Sequence, residues 1–276
     1  MIVSPFTPLF FINLKADGID SEYIQTFSTT DQILLEVLAA PGTSIHANVN
    51  NEETDFPLYT IKFNTWNINS STTLYFTTIS LSPGIYSVSI FGYGRSEIFM
   101  VTDDARILDK TTLIQYSMNN NRQRTDAVFF IDGMQYYFDF RVPGGFKDSN
   151  WTFGVESEQF VTQLADISQL YGLESTQKRF TLGGSMGVPV WFGEMLNRIL
   201  VCSHVYFDGV KYSRKESNVP EISVQLDGVN SFVFNQTLQQ SVNLDPVIEQ
   251  NNHAAMRRID SDNYRSISST TNRIII

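Results

Sequence analysis

A mostly-β fold with two β-rich domains follows from three features of this 276-residue sequence. Aromatic residues reach 13%, with 21 Phe and 12 Tyr, and such side chains favour pleated, half-buried strands. Asp-Gly pairs recur at Asp17-Gly18, Asp132-Gly133, Asp208-Gly209 and Asp227-Gly228. Between strand-like runs this dipeptide marks a tight hairpin, because a type I′ turn needs positive φ at both central positions. Short apolar runs also follow one another between turns over the first hundred residues, the pattern of a β-sandwich. The predicted organisation is an N-terminal β-sandwich-like domain over 1–103 with an N-terminal arm, a hairpin-rich β domain over 104–235 with one or two helices, and a polar C-terminal arm over 236–276.

In the first domain, strands are expected over 9–14, 33–38, 45–49, 59–63, 74–79, 84–90 and 97–101. Pro83-Gly84 makes a turn, after which Tyr86, Val88 and Ile90 alternate with Ser87 and Ser89, so one face is buried. The domain boundary falls near Thr102-Asp103-Asp104. In the second domain, runs 128–131 and 134–142 bracket one Asp-Gly pair, 204–207 and 210–214 the next, and 223–226 and 231–234 the last. A helix is expected over 190–201, with Pro189 suited to its first turn and Trp191, Met195, Leu196 and Ile199 at helical spacing. A second helix is suggested over 158–171, where Phe160, Leu164, Ile167 and Tyr171 repeat at three to four, Ser157 can cap and Gly172 can terminate. From Gln236 the pattern dissolves into Gln, Asn, Ser and balanced charge, Arg257, Arg258, Arg265 and Arg273 against Asp245, Glu249, Asp260 and Asp262. The apolar end Ile274-Ile275-Ile276 suggests an arm that docks on a neighbour as an added strand, and the first eleven residues suggest another.

Hydrophobic residues make up 42% and charged residues only 17%. Interface cores are depleted in charge and enriched in aromatics, so this balance fits a surface spent on protein contacts as well as an aromatic core. The net charge of −10 supplies no basic face to grip nucleic acid, although an acidic wall could line a channel past which DNA slides. A single cysteine, Cys202, rules out an intrachain disulfide, and its apolar run 199–202 suits a buried small hydrophobe. The N-terminus lacks a basic region and carries Pro5 and Pro8, unlike a signal peptide, and no run reaches the ~18 apolar residues of a membrane span.

The sharpest catalytic pattern is Gly183-Gly184-Ser185-Met186-Gly187, which matches G-x-S-x-G between a strand near 179–182 and the helix after Pro189. A serine hydrolase would then draw on Asp208 or Asp227 and on His253. Against it, Gly187 and Pro189 delay the helix, the upstream segments read as hairpins, and His253 lies in the polar tail. No Lys-Ser or Lys-Thr follows the glycines, so a phosphate loop fails. His46, His204 and His253 are widely spaced, and Asp17, Asp20 and Glu22 lack the glycine and terminal Glu of a calcium loop, so no metal or cofactor site is expected. Glu156, Glu158 and Asp139 are the carboxylates considered for glycoside cleavage; solvated or salt-bridged roles suit them better. Arg122, Arg124, Arg214, Lys215 and Glu216 are loop charges.

An ordered series of short motifs lies between Ser96 and Glu221. It runs Ser96-Glu97, Thr102-Asp103, Leu113-Ile114-Gln115-Tyr116-Ser117, Phe129-Phe130, the strand 136–142 with Gly144-Gly145-Phe146, Glu158-Gln159-Phe160 and Gln169-Leu170-Tyr171. It continues through Thr181-Leu182-Gly183-Gly184, Gly187-Val188-Pro189, Asn197-Arg198-Ile199, Asp208-Gly209-Val210-Lys211-Tyr212, Glu216-Ser217 and Pro220-Glu221. This stretch resembles virion proteins of tailed bacteriophages of gut Bacteroidetes, crAss-like phages included. The resemblance covers under half the chain and implies a non-enzymatic structural subunit of a tail ring, barrel or hub. It further implies a homo-oligomer with neighbouring tail proteins, no cofactor and no membrane, made in the host cytoplasm and located in the virion. Two other readings are a carbohydrate-binding β-sandwich, which needs exposed aromatics such as Trp66, Tyr75 or Tyr93, and the hydrolase centred on Ser185.

Overall fold

The computed structural model describes residues 1–11, 23–54, 56–161, 167–185, 187–215, 221–226, 231–241 and 258–259. The fold is mostly β, and the N-terminal half is a two-sheet sandwich. Its strands are β1 (Ile2–Val3), β2 (Gln25–Ser28), β3 (Ile33–Ala39), β4 (Ala47–Asn51), β5 (Phe56–Thr60), β6 (Asn64–Asn67), β7 (Thr73–Ile79), β8 (Gly84–Ile90), β9 (Gly94–Arg95) and β10 (Phe99–Thr102). One sheet has the order β1-β3-β7-β6, the other β2-β10-β8-β4-β5 with β9 on β8. Strands β2 and β10 run parallel, whereas the other pairs are antiparallel. Most of the expected strands are present, and β1, β2, β6 and β9 are additions. Residues 9–11, expected to begin a strand, form none; 12–14, and the Asp17-Gly18 turn, lie outside the described residues.

Alternation decides the core. Ile33, Leu35 and Val37 of β3 face Phe27, Val49, Val88 and Val101 across the sandwich. The intervening Leu34, Glu36 and Leu38 are equally buried, so β3 is covered on both faces. Its second face meets the C-terminal half: Leu34 joins that half's core, and Leu38 packs with Leu74, Val128 and Ile131.

The C-terminal half starts with the one-turn helix α1 (Ala105–Leu108), capped by the Asp104 carboxylate. Strands β11 (Thr111–Ser117), β12 (Phe130–Ile131), β13 (Met134–Tyr136), β14 (Phe138–Val161) and β15 (Ile167–Leu182) follow. Helix α2 (Val190–Ile199) precedes β16 (His204–Phe207), β17 (Val210–Arg214), β18 (Glu221–Leu226), β19 (Ser231–Gln240) and β20 (Arg258–Ile259). Strands β15-β14-β11-β16-β17-β19 form a continuous ladder, and β15 pairs again with β19, from Thr176↔Gln240 to Leu182↔Phe234. The six strands therefore close into an antiparallel barrel, with β18 appended to β19. Closure removes the edges that an open sheet exposes. Tyr116, Phe138, Phe140, Phe180 and Phe207 fill the barrel core, and α2 adds Phe192, Met195, Leu196 and Ile199 to it.

The Asp132-Gly133 and Asp208-Gly209 hairpins form as expected, with positive φ at all four residues. Asp227-Gly228 lies outside the described residues. Pro189 sits at the N-cap of α2, one residue before the helical turn expected for it, and Phe192 rather than Trp191 is fully buried. The helix expected over 158–171 is a correction: these positions belong to β14 and β15, apart from 162–166, which are not described. The three-to-four spacing there coincided with a strand pattern, and long-range pairing decided the outcome. Strand β19 runs to Gln240 and buries Gln236 and Leu238, so the pattern break at Gln236 falls inside a barrel strand. Further on, Arg258 and Ile259 pair with Tyr136 and Gln135 of the same chain, and the remainder of the expected C-terminal arm lies outside the described residues.

Residues 1–11, expected as an arm, pack on their own chain, with a short strand at Ile2–Val3 and a turn at Ser4–Thr7. Val3 and Leu9 enter the sandwich core. Phe6 packs edge-on against Phe129 at 5.3 Å, and Phe10 lies 5.0 Å from Phe192. Arg198 donates to the Pro5 carbonyl at 2.8 Å. Asp31 and Arg141 add a two-point ion pair between the halves, at 2.7 and 2.9 Å. Among the described residues, no helix is long and apolar enough to cross a membrane.

Candidate functional site

The inner part of β14 belongs to the barrel, where residues 138–143 pair with β11. Past Phe146 its only described partner is β15, and β15 beyond Thr176 has no described partner except β14. Residues 151–161 and 167–175 thus form a two-stranded antiparallel ribbon that leaves the barrel, roughly 35 Å long at strand rise. Along β14 the odd positions Trp151, Phe153 and Val155 share one face, and Thr152 and Gly154 take the other. The apolar face is open: Phe153 is 74% and Val155 66% exposed. Phe160, Val161 and Ile167 continue the apolar exposure toward the tip. At the root, Trp151 lies opposite Lys178, whose ammonium sits 3.9 Å from the indole centroid. That contact orients the first apolar residue of the ribbon.

An isolated two-stranded ribbon is marginal in water, because neither face nor edge is covered. Water-exposed Phe and Val on one side make it worse, whereas a partner that covers the stripe removes apolar area from water at about 25 cal/mol per Å². The ribbon is therefore the candidate interaction surface. Its signal in the sequence is the alternation of Trp151, Phe153 and Val155, which gives way at 158–171 to a three-to-four spacing that mimics a helix.

The catalytic patterns are not assembled into a site among the described residues. Ser185 is exposed in a turn that backbone bonds hold: Gly183 N–H donates to Pro143 at 2.9 Å and Gly187 N–H to Gly183 at 2.6 Å. The helix begins only at Val190, so the nucleophile-elbow geometry is missing. Asp208 has a structural task, accepting from Leu113 N–H at 2.9 Å inside its turn; burial raises its pKa above the usual carboxylate range. Asp227 and His253 lie outside the described residues.

Of the glycosidase carboxylates, Asp139 is buried and accepts from Gln32 N–H at 2.9 Å and Gln115 Nε2 at 2.8 Å, joining the two halves. Glu158 is exposed far out on the ribbon; the Glu156 side chain is outside the description. His204 is pushed down to about 4 by burial, and Cys202 up to about 12 by burial, so each is neutral near pH 7. No metal-binding group of three occurs among the described residues, and Asp17, Asp20, Glu22 and Glu216 lie outside them. Arg124 pairs with Asp126 and stands over the Phe6 ring, Arg122 is exposed, Arg214 reaches Asn197, and Lys215 reaches Gln177 at the ribbon root.

The aromatics named for sugar binding divide. Tyr75 is core, Trp66 packs beside Leu38 and Leu74, and Tyr93 stays 43% exposed. No family model, curated protein or solved structure matches the chain.

Proposed function

We propose that this chain is a structural subunit of a virion, in a bacteriophage tail ring, barrel or hub, and that it acts by packing against copies of itself and neighbouring tail proteins. The observation that carries the reading is the amphipathic ribbon of β14 and β15, whose Trp151–Phe153–Val155 stripe is left to solvent within the chain. A closed barrel that extends one long apolar ribbon is suited to reach a neighbour and bury the stripe there. The low charge content and the motif order from Ser96 to Glu221 support the same reading. A ribbon that meets a different surface on the next copy makes a head-to-tail contact, which gives a ring when the rotation closes. Obligate contacts of this kind bury on the order of 2,000 Å² or more. No step of this role needs a nucleophile, a metal or a cofactor.

Light scattering and negative-stain imaging of the full chain, alone and with the products of neighbouring genes, test the proposal. Closed rings are expected, and Trp151→Ser with Phe153→Ser is expected to return them to monomers without lowering Tm. A wild-type chain that stays monomeric in every mixture overturns it.

A further inference from the structure

The sandwich carries a second surface, away from the ribbon and independent of assembly. On the outer face of the β4–β8–β9 sheet, pairing sets Asn48 beside Ser89, Asn50 beside Ser87, and Ser89 beside Arg95. These side chains are tied together. Asn50 Nδ2 donates to Ser89 Oγ at 2.7 Å, Arg95 Nε to Ser87 Oγ at 2.8 Å, and Ser87 Oγ to Glu52 at 2.7 Å. Arg95 also closes on both Glu52 oxygens, so its charge is balanced. The floor is thus rigid, polar and electrically neutral.

At one end of this floor the β8–β9 turn, Phe91-Gly92-Tyr93-Gly94, raises two rings. Phe91 is 84% exposed, although its own N–H is anchored to the His46 carbonyl at 2.8 Å. Tyr93 is held edge-on by Phe11 at 5.7 Å. Gly92 has φ +76 with open space where a Cβ would stand, so the turn keeps clear of the face. His46, Asn48, Ser89, Phe91, Tyr93 and Arg95 line an open cavity of about 700 Å³, a volume within the usual range for small-molecule sites. The Asn48 carboxamide, half-buried in that lining, makes no hydrogen bond to any described residue.

We infer that this face is a binding site for an uncharged saccharide. A solvent-facing ring matches the apolar C–H face of a pyranose, and a free carboxamide both donates and accepts, as vicinal hydroxyls require. Arg95, neutralised by Glu52, selects no anion. The pyranose stacks on Phe91, with Tyr93 as flank, and its hydroxyls reach Asn48 and His46.

Saturation-transfer NMR on the full chain tests the site, with five neutral probes: cellotetraose, maltotetraose, chitotetraose, mannotetraose and lacto-N-tetraose. Transfer to the ring protons of at least one probe is expected. Calorimetry should show its affinity fall about tenfold or more in Phe91→Ala, in Phe91→Leu (which keeps apolar bulk but removes the ring) and in Asn48→Ala. Melting curves of these surface variants should match wild type. The ribbon variant Trp151→Ser with Phe153→Ser should bind as wild type does, which separates this site from assembly. Absence of transfer from all five probes overturns the inference, and so does binding that survives Phe91→Leu and Asn48→Ala.

Discussion

Glu36 has no exposed surface, lies on the barrel-facing side of β3, and has only one oxygen satisfied: Oε2 accepts from Val128 N–H at 3.3 Å, and Oε1 has no partner. Burial drives its pKa from 4.5 to about 8, because water no longer solvates the charge. The folded state therefore holds a proton that the unfolded chain releases. The resulting stability is present in full below the unfolded value of 4.5 and is lost as pH rises toward 8. Between those values the loss approaches about 1.4 kcal/mol per pH unit. Thermal unfolding of wild type and Glu36→Gln from pH 5 to 9 should show curves that diverge upward in pH, the variant keeping the stability that wild type loses. Parallel curves would mean that Glu36 is ionised in the fold. Leu34 and Leu38 mark this face of β3 as apolar, but nothing local in the chain says that the Glu36 carboxyl between them is buried without a full set of partners.

The β14–β15 element combines a closed barrel wall with a free ribbon, and Gly144 stands where the wall begins to pair with β15, opposite Leu182. Its φ is +131, and a Cβ there would run into the Thr181 carbonyl oxygen. Gly144→Ala should therefore cost about 2–3 kcal/mol, seen as a lower urea midpoint with an unchanged m-value. A midpoint shift under about 0.5 kcal/mol would count against this close approach. At the same scale, the Asp-Gly turns were legible because their chemistry is local: Asp132, Gly133, Asp208 and Gly209 adopt the positive φ that the turn demands. The 158–171 segment was not legible, because Phe160, Leu164 and Ile167 satisfy a helical spacing that only cross-strand partners can override.

In the whole molecule, the two halves share one seam, and residues 1–11 run through it. Phe6 is fully buried against Phe129 and Tyr116 of the C-terminal half, and Tyr116 Oη donates to the Phe6 carbonyl at 2.5 Å. Val3, three residues earlier, belongs to the sandwich core. Phe6→Ala should cost about 3–5 kcal/mol, as large-to-small changes in tight cores do. Calorimetry should record a single transition moved downward, because a shared seam couples both halves. Two separated transitions in wild type would show that the halves unfold independently.

The mostly-β class, most of the sandwich strands, the hairpins at Asp132-Gly133 and Asp208-Gly209, and α2 were written in the sequence, because each rests on local backbone preference or on a short apolar period. Closure of the barrel through β15 and β19, burial of β3 on both faces, and the inward course of residues 1–11 came only from tertiary structure. Each depends on which distant surface a segment meets, and a side chain's alternation says that one face is covered without saying by what. The same limit hid the Asn48–Phe91 face, whose members are brought together by register across β4, β8 and β9.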